Sequence, residues 1–239
     1  PGAPETCDGV DQNCDGEVDD GALGADTTCA APSCQAILDS GSSTGDGRYW
    51  LDPDDDGDVS DAWEGWCDMS RDGGGWTRVY ASLWPYFWNP ADFEALGAPE
   101  DDVYSALGER ADLAGTDGTY SFRLELGYGD TLHTGRREHY TVWQQGHDPF
   151  TGSSDGSDYL FLEGEEPATC YGFNGLHDRY YQLGGTHSMT TDADTTDSVG
   201  CWWMQVVPLM QYDDGRGTGG YLDGYGGAET HTWQVLWMR

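Results

Sequence analysis

The feature that most constrains the fold of this chain is its large excess of carboxylates. Of 239 residues, 44 are Asp or Glu and ten are basic, all of them Arg, so the formal net charge is −34. Such a charge destabilises a compact state by self-repulsion unless counterions or bound metal ions offset it. It also excludes nucleic acid and anionic membranes as ordinary partners, because binding phosphates requires a basic patch.

The first acidic loop lies near the amino terminus and has the spacing of an EF-hand-type calcium loop. From Asp11 it places oxygen-bearing side chains at positions 1, 3 and 5, with Gly16 at position 6 and Val18 at position 8. Position 12 is Ala22 in place of the usual Glu, so a later acid in the loop would have to substitute. Calcium is the predicted cofactor, and a disordered acidic tail is the alternative. Copper fits less well, because no His or Met lies nearby. The predicted ligands are Asp11, Asn13, Asp15, Glu17, Asp19 and Asp20.

A second acidic loop repeats this spacing, and a third stretch carries a weaker version of it. The second loop begins at Asp52 and has Gly57 at position 6 and Val59 at position 8. It is either a second calcium site or a solvated hairpin turn. The predicted ligands of the second loop are Asp52, Asp54, Asp56, Asp58 and Asp61, and those of the third stretch are Asp192, Asp194 and Asp197.

Seven cysteines favour a disulfide framework in an oxidising compartment. They are Cys7, Cys14, Cys29, Cys34, Cys67, Cys170 and Cys201, and none forms a C-x-x-C pair. A Cys7–Cys14 bond would close the first acidic loop. The odd number indicates a lost partner, an intermolecular bond or a free thiol, and Cys29 is the residue for which we expect self-assembly or an intermolecular disulfide.

The distribution of apolar residues predicts short strands, few helices and long loops. Residues 32–41 predict a short helix with Ser33 as its N-cap and Gly41 after its end. Residues 101–115 are the most helix-like part of the middle. Aromatic or alternating segments predict strands at 48–52, 63–69, 76–83, 121–127, 138–143, 159–164 and 230–239. No segment is long enough to span a membrane, and no signal peptide is recognisable. Since the sequence starts PGAP without Met, we interpret it as part of a secreted precursor.

Three segments in order resemble the opening of a fibrinogen-like domain. They are SCQAILDSG (33–41), YWLDPD (49–54) and WCDMSRDGGGWT (66–77), and they are similar to the secreted bacterial branch with a Y-C-D…G-G-G-W signature, where Trp66 replaces Tyr. The resemblance implies an α+β fold, that of a fibrinogen C-terminal-like domain, with short twisted antiparallel sheets, few short helices and long calcium-pinned loops. It also implies a Cys34–Cys67 disulfide and a calcium loop upstream of Cys201-Trp202-Trp203. Residues 84–165 match nothing in the family.

The carboxyl-terminal part departs from the animal members of that family. Gln205 to Pro208 stand where those members carry Asn-x-Cys-His, so Cys201 is expected to pair with Cys170 and any ligand pocket must be built differently. The related intelectin-like lectins hold a sugar diol on calcium beside aromatic walls. By this analogy the predicted glycan site comprises Tyr212, Asp213, Asp214, Tyr221, Asp223, Tyr225 and Glu229. The alternative is a Gly-rich surface loop.

The amino-terminal segment separately resembles a metal-binding unit, C-D-G-x-D-x-N-C-D-G-x-V-D-D-G, of secreted bacterial surface proteins. This resemblance implies a small module on a linker, Ala22 to Ala31. We therefore expect a Cys/Asp-rich calcium-binding motif and linker at residues 1–28 and a recognition domain at residues 29–239.

The histidines are scattered, and the chain lacks H-E-x-x-H, G-x-S-x-G and G-x-x-x-x-G-K. We expect a binding protein and not an enzyme: a secreted, calcium-binding, fibrinogen-like module that recognises glycans or an extracellular protein partner. A structural or adhesive subunit of an extracellular filament or surface layer is the alternative. A polysaccharide hydrolase, which needs only two suitably spaced carboxylates, is a third reading.

Overall fold

The computed structural model describes most of the chain in two compact units. The described residues are 3, 5, 9–16, 18–19, 21–54, 56, 58–83, 95–128, 136–149, 158–165, 175–181, 186–190 and 233–239. The first unit comprises residues 1–78 with 238–239, and the second comprises residues 79–237.

The described secondary structure consists mainly of antiparallel strands. The described residues contain one α-helix, α1, at Cys34–Asp39, and short 3₁₀ turns at Thr27–Cys29 and Leu107–Ala111. The strands are β1 Gly47–Leu51, β2 Trp63–Asp68, β3 Trp76–Leu83, β4 Tyr104–Ser105, β5 Tyr120–Tyr128, β6 Arg136–Gln145, β7 Leu160–Gly164, β8 His177–Tyr181, β9 Thr186–Thr190 and β10 Trp233–Met238. No helix among the described residues combines the length and apolar character needed to cross a membrane.

In the first unit, β1 and β2 form an antiparallel hairpin, and β2 pairs with the start of β3. The α1 helix begins where the Ser33 hydroxyl accepts a hydrogen bond from the Ala36 N–H at 3.1 Å, as the N-cap prediction requires. A disulfide between Cys34 and Cys67 attaches this helix to β2, and it is the pairing that the resemblance implies. The core of the unit is Ala31, Cys34, Ile37, Tyr49, Leu51, Cys67 and Met69.

Residues 22–31, which include the expected linker, pack on this core. Its Gly24 carbonyl accepts from the Trp50 N–H at 2.9 Å, and Ala31 forms a parallel bridge with Leu51. Gly24 has a φ of +82°, and a Cβ there would overlap the Ile37 side chain, so only glycine allows the segment to lie so close. The expected boundary at residue 28 falls inside the 3₁₀ turn. Residues 22–31 belong to the first unit.

The three glycines before Trp76 turn the chain tightly, as the sequence predicts. Gly73, Gly74 and Gly75 have φ values of +88°, +72° and +74°. A Cβ at Gly74 would collide with the Met69 carbonyl, and one at Gly75 would collide with Gln35. The turn therefore needs glycine both for its backbone conformation and for its close packing.

In the second unit, strand order runs β3, β10, β5, β6, β7, with β4 beside β3, and β8 pairs with β9. Both faces of β10 are buried, which explains its nearly continuous apolar sequence. Arg123 is fully buried, with its guanidinium 4.7 Å from the Trp237 ring centre and 3.4 Å from the Glu125 carboxylate. These contacts compensate for burying a charge.

The prediction of a helix within residues 101–115 is wrong in both extent and type. Tyr104 and Ser105 pair with β3, and only Leu107–Ala111 form a 3₁₀ turn. The Ser105 N–H and carbonyl both bond to Leu96 at 2.9 Å. Sheet pairing of these two residues therefore outweighs the local helical preference of the segment.

Candidate metal centre

The second acidic loop brings three carboxylates together at the turn between β1 and β2. Asp52 follows the last residue of β1, and Asp61 lies two residues before β2 begins. Because Leu51 is paired with Trp63, the two ends of the loop lie side by side. Carboxylate oxygens of Asp52, Asp54 and Asp61 lie within 4.8 Å of one another. This is the spacing of ligands around a shared cation.

Asp52 is the buried member of this group. It is 6% exposed, whereas Asp54 and Asp61 are exposed. Burial raises the pKa of the Asp52 carboxyl, and hydrogen bonding with Asp54 and the charges of Asp61, Asp54 and Asp56 raise it further. Among the described residues, no N–H group and no cationic side chain donates to this carboxylate. An ionised Asp52 is thus held among like charges, which is unfavourable unless a cation or a proton joins them.

The other two predicted ligands of the second loop stabilise turns. The Asp56 carboxylate accepts the Asp58 N–H at 2.7 Å, and the Asp58 carboxylate accepts the Ser60 N–H at 3.1 Å. Hydrogen bonds from Ser60 lower the pKa of Asp58. The EF-hand spacing predicts five ligands here, but the described geometry groups only positions 1, 3 and 10.

The first acidic loop is a tight turn whose side-chain oxygens accept backbone N–H groups. The Asp11 carboxylate accepts from Cys14 at 2.5 Å and from Gly16 at 2.9 Å, and the Asn13 side chain accepts from Asp15 at 2.8 Å. No carboxylate cluster like that of the second loop forms among the described residues here. The predicted ligands Glu17 and Asp20 lie outside the described residues.

Two further carboxylates accept hydrogen bonds from backbone N–H groups in or next to this turn. Glu5 accepts from the Asn13 N–H at 2.6 Å, and Asp19, a predicted ligand, accepts from the Gly9 N–H at 3.3 Å. Sequence reasoning missed Glu5 because it lies before the acidic loop that begins at Asp11, and only the folded turn brings it near.

The structure changes the assignment of the odd cysteine. Cys14 is an exposed free thiol, so the Cys7–Cys14 bond expected to close the first loop is not formed. Cys29 is disulfide-bonded to a residue outside the described part, so it is not the thiol available for an intermolecular bond. The cause is packing: Cys29 is buried beside β1, whereas Cys14 lies on the surface turn.

The remaining predicted sites lie outside the described residues. They are the other expected disulfide, Cys170–Cys201, the third acidic stretch with Asp192, Asp194 and Asp197, and the proposed glycan site with Tyr212, Asp213, Asp214, Tyr221, Asp223, Tyr225 and Glu229.

Two described histidines have structural contacts. His147 is mostly buried, with one ring nitrogen 2.8 Å from the Asp158 carboxylate and the other 3.0 Å from the Leu176 carbonyl. His139 contacts Glu165 at 2.7 Å near the edge strand β7. Both ring nitrogens of His147 are thus engaged in holding segments together.

Comparisons with known proteins find two kinds of similarity. Residues 1–20 match a family model named Cu-binding MopE and described as "Putative metal-binding motif". No curated protein matches the chain. The fibrinogen-like globe domain of human ANGPTL2 is 19% identical, with 87% of this chain and 98% of that chain covered and a TM-score of 0.51. That of human ANGPTL6 is 17% identical, with 87% and 94% covered and a TM-score of 0.47. The likeness to the ANGPTL2 domain shows that this chain has the fold of fibrinogen-like globe domains.

Proposed function

We propose that the protein is a secreted recognition module that binds calcium through its acidic loops and, in the calcium-bound state, binds glycans or an extracellular protein partner. The observation that carries this proposal is the group formed by Asp52, Asp54 and Asp61. A buried carboxylate close to two others is stabilised when a cation binds to the group.

The chemistry of the grouped side chains favours calcium. All three are carboxylates, and hard cations such as Ca²⁺ take six to eight oxygen ligands, some from water and backbone carbonyls. The name of the family model at residues 1–20 refers to copper, and the exposed Cys14 thiol is a softer donor within that motif. Copper is therefore the competing metal for the first loop but not for the second.

Recognition, and not catalysis, is the role that the proposal assigns to the fibrinogen-like fold. Residues 29–239 would form the recognition domain, and residues 1–28 would carry the metal-binding motif, attached to the domain through residues 22–31. The Cys34–Cys67 disulfide supports an oxidising compartment and hence secretion. The ligand site would use the carboxyl-terminal Tyr and Asp residues predicted above.

Two measurements test the proposal. Isothermal titration of metal-stripped protein with Ca²⁺ and with Cu²⁺ should give calcium binding, and a glycan array should show calcium-dependent signals. Absence of calcium binding refutes the metal part. Silence on the array, with and without calcium, refutes glycan recognition, and concentration-dependent assembly in gel filtration would then support the structural-subunit alternative.

A further inference from the structure

The outer face of the β1–β2 hairpin carries two tryptophans beside an ion pair. Successive side chains of a strand point to opposite faces, and Tyr49 of β1 and Cys67 of β2 lie in the core of the first unit. The side chains on the opposite face are not buried, and they are Arg48, Trp50, Glu64 and Trp66. These four residues are called the outer hairpin face, and all of them belong to the first unit.

The register of the hairpin fixes how the four side chains are arranged. Trp50 is paired with Glu64, and Arg48 is paired with Trp66. The Arg48 guanidinium contacts the Glu64 carboxylate at 3.0 Å, across one diagonal of this group. Trp50 and Trp66 are therefore neighbours across the other diagonal, for which a separation of about 7–8 Å is usual. The ion pair lies between the two indoles.

All four side chains keep access to solvent. Those of Arg48 and Glu64 are each 39% exposed, and the two tryptophans are half-buried. A partly exposed indole offers a rigid apolar surface to a ligand. The guanidinium has five N–H donors and the carboxylate about four acceptor positions, so both can bond to a ligand without giving up their mutual contact. The face thus combines flat apolar surfaces with hydrogen-bond donors and acceptors.

This combination favours an uncharged glycan chain as the occupant. The four side chains carry no net charge, and the net charge of −34 of the whole chain repels acidic polysaccharides. A purely apolar protein surface would remove water from the ion pair without offering it hydrogen bonds, which is costly. A sugar ring has an apolar face of C–H groups for an indole, and its hydroxyl groups both donate and accept hydrogen bonds. Two rings of one glycan chain would therefore match the two indoles.

We propose that the outer hairpin face binds a neutral polysaccharide, with the two indoles stacking on two of its rings and the ion pair bonding to its hydroxyl groups. The proposal rests on the glycan recognition of the proposed function, and it assigns part of that recognition to the first unit. None of the four residues is a proposed metal ligand, and the face is held by strand pairing over a buried core. Binding at this face therefore requires no calcium.

Affinity electrophoresis of the full chain in EGTA tests the proposal. The gels contain a neutral β-glucan, xylan or mannan, and a gel with pectate provides the acidic comparison. We expect a neutral polysaccharide to retard the unchanged protein, and we expect Trp50→Ala and Trp66→Ala each to weaken binding by about fivefold or more. Leu160→Ala is the matched control, because it removes a 55% exposed apolar side chain from the second unit. This control should bind as the unchanged protein does.

A second measurement does not depend on the folding of a variant. The unchanged protein is titrated in EGTA with a soluble form of the neutral polysaccharide, and the indole N–H signals are followed by nuclear magnetic resonance. Those of Trp50 and Trp66 should shift, whereas those of the fully buried Trp76 and Trp143 should not. Shifts that leave out Trp50 and Trp66 overturn the proposal.

The outcomes separate this proposal from the proposed function. If glycans are bound only in calcium, or if both tryptophan variants bind as the unchanged protein does, the proposal is wrong and the calcium-dependent recognition stands. Retardation by pectate alone also contradicts it. If no glycan is bound in either buffer, both claims of glycan recognition are wrong. Binding in EGTA that both variants weaken supports the proposal.

Discussion

Replacing Asp61 by Asn should stabilise the protein in metal-free solution and destabilise it in calcium-containing solution. Asn has nearly the shape of Asp but no charge, so it relieves repulsion and weakens a cation site at once. At 4.8 Å, the upper limit of the distances between these carboxylate oxygens, two unit charges repel by about 0.9 kcal/mol at the dielectric constant of water and by about 3.5 kcal/mol at an effective value of 20. Because Asp61 is exposed, the lower figure applies, and the metal-free variant should be more stable by about 1 kcal/mol.

In calcium, the effect of Asp61→Asn on the free energy of unfolding has the opposite sign. At ~100 times its dissociation constant, calcium at one site stabilises the unchanged protein by about 2.7 kcal/mol. A hundredfold loss of affinity in the variant would leave about 0.4 kcal/mol of that stabilisation. The variant loses the rest of the calcium stabilisation but gains about 1 kcal/mol from reduced repulsion. It should therefore be less stable than the unchanged protein by about 1.3 kcal/mol in calcium. Other cation sites are common to both proteins and cancel in the comparison.

The assay is urea unfolding followed by tryptophan fluorescence, in EGTA and in calcium. Asp58→Asn is the control, because Asn can still accept the Ser60 N–H and position 58 lies outside the carboxylate group. Its free energy of unfolding should stay close to that of the unchanged protein in both buffers. If Asp61→Asn lowers stability equally in EGTA and in calcium, Asp61 is a structural anchor and not a cation ligand.

Four further outcomes are expected. Replacing Cys34 and Cys67 by Ser opens a loop with a sequence separation of 33 and should cost about 3.7 kcal/mol by loop-entropy arithmetic; a loss below 1 kcal/mol in urea unfolding contradicts this. Ser33→Ala removes the helix cap and should cost about 1 kcal/mol, measured in the same way, whereas Ser33→Thr should retain most of the stability. Gly74→Ala should destabilise by more than the cap variant, since it adds a steric clash to an unfavourable φ; equal melting temperatures would contradict that. In EGTA, the raised pKa of Asp52 means that ionisation of this carboxyl opposes folding. The cost to stability is absent below the ordinary pKa of 3.8 and grows as the pH rises through the pKa of the folded state. Over that rise, Asp52→Asn should therefore gain stability relative to the unchanged protein, and a stability difference independent of pH contradicts the assignment.

Much of the local structure could be predicted because it depends on neighbouring residues. The cap at Ser33, the glycine turn before Trp76 and the strands around Cys67 follow from short-range rules, and the structure confirms them. The resemblance to fibrinogen-like domains was carried by these same segments. The helix expected near Tyr104 failed because pairing with β3 is a long-range interaction that no local pattern displays.

The sequence by itself determined that this chain has acidic loops spaced for cations, an oxidised framework and a short helix joined to a sheet. Only the tertiary structure decided which groups meet. The register of β1 against β2 brings Asp61 to Asp52, while Asp56 and Asp58 turn back to their own backbone. Packing likewise buries Cys29 in a disulfide and leaves Cys14 free. Spacing along a chain fixes which partners are possible, but distance in the folded protein selects among them, because repulsion between carboxylates and bonding between cysteines depend on a few ångströms.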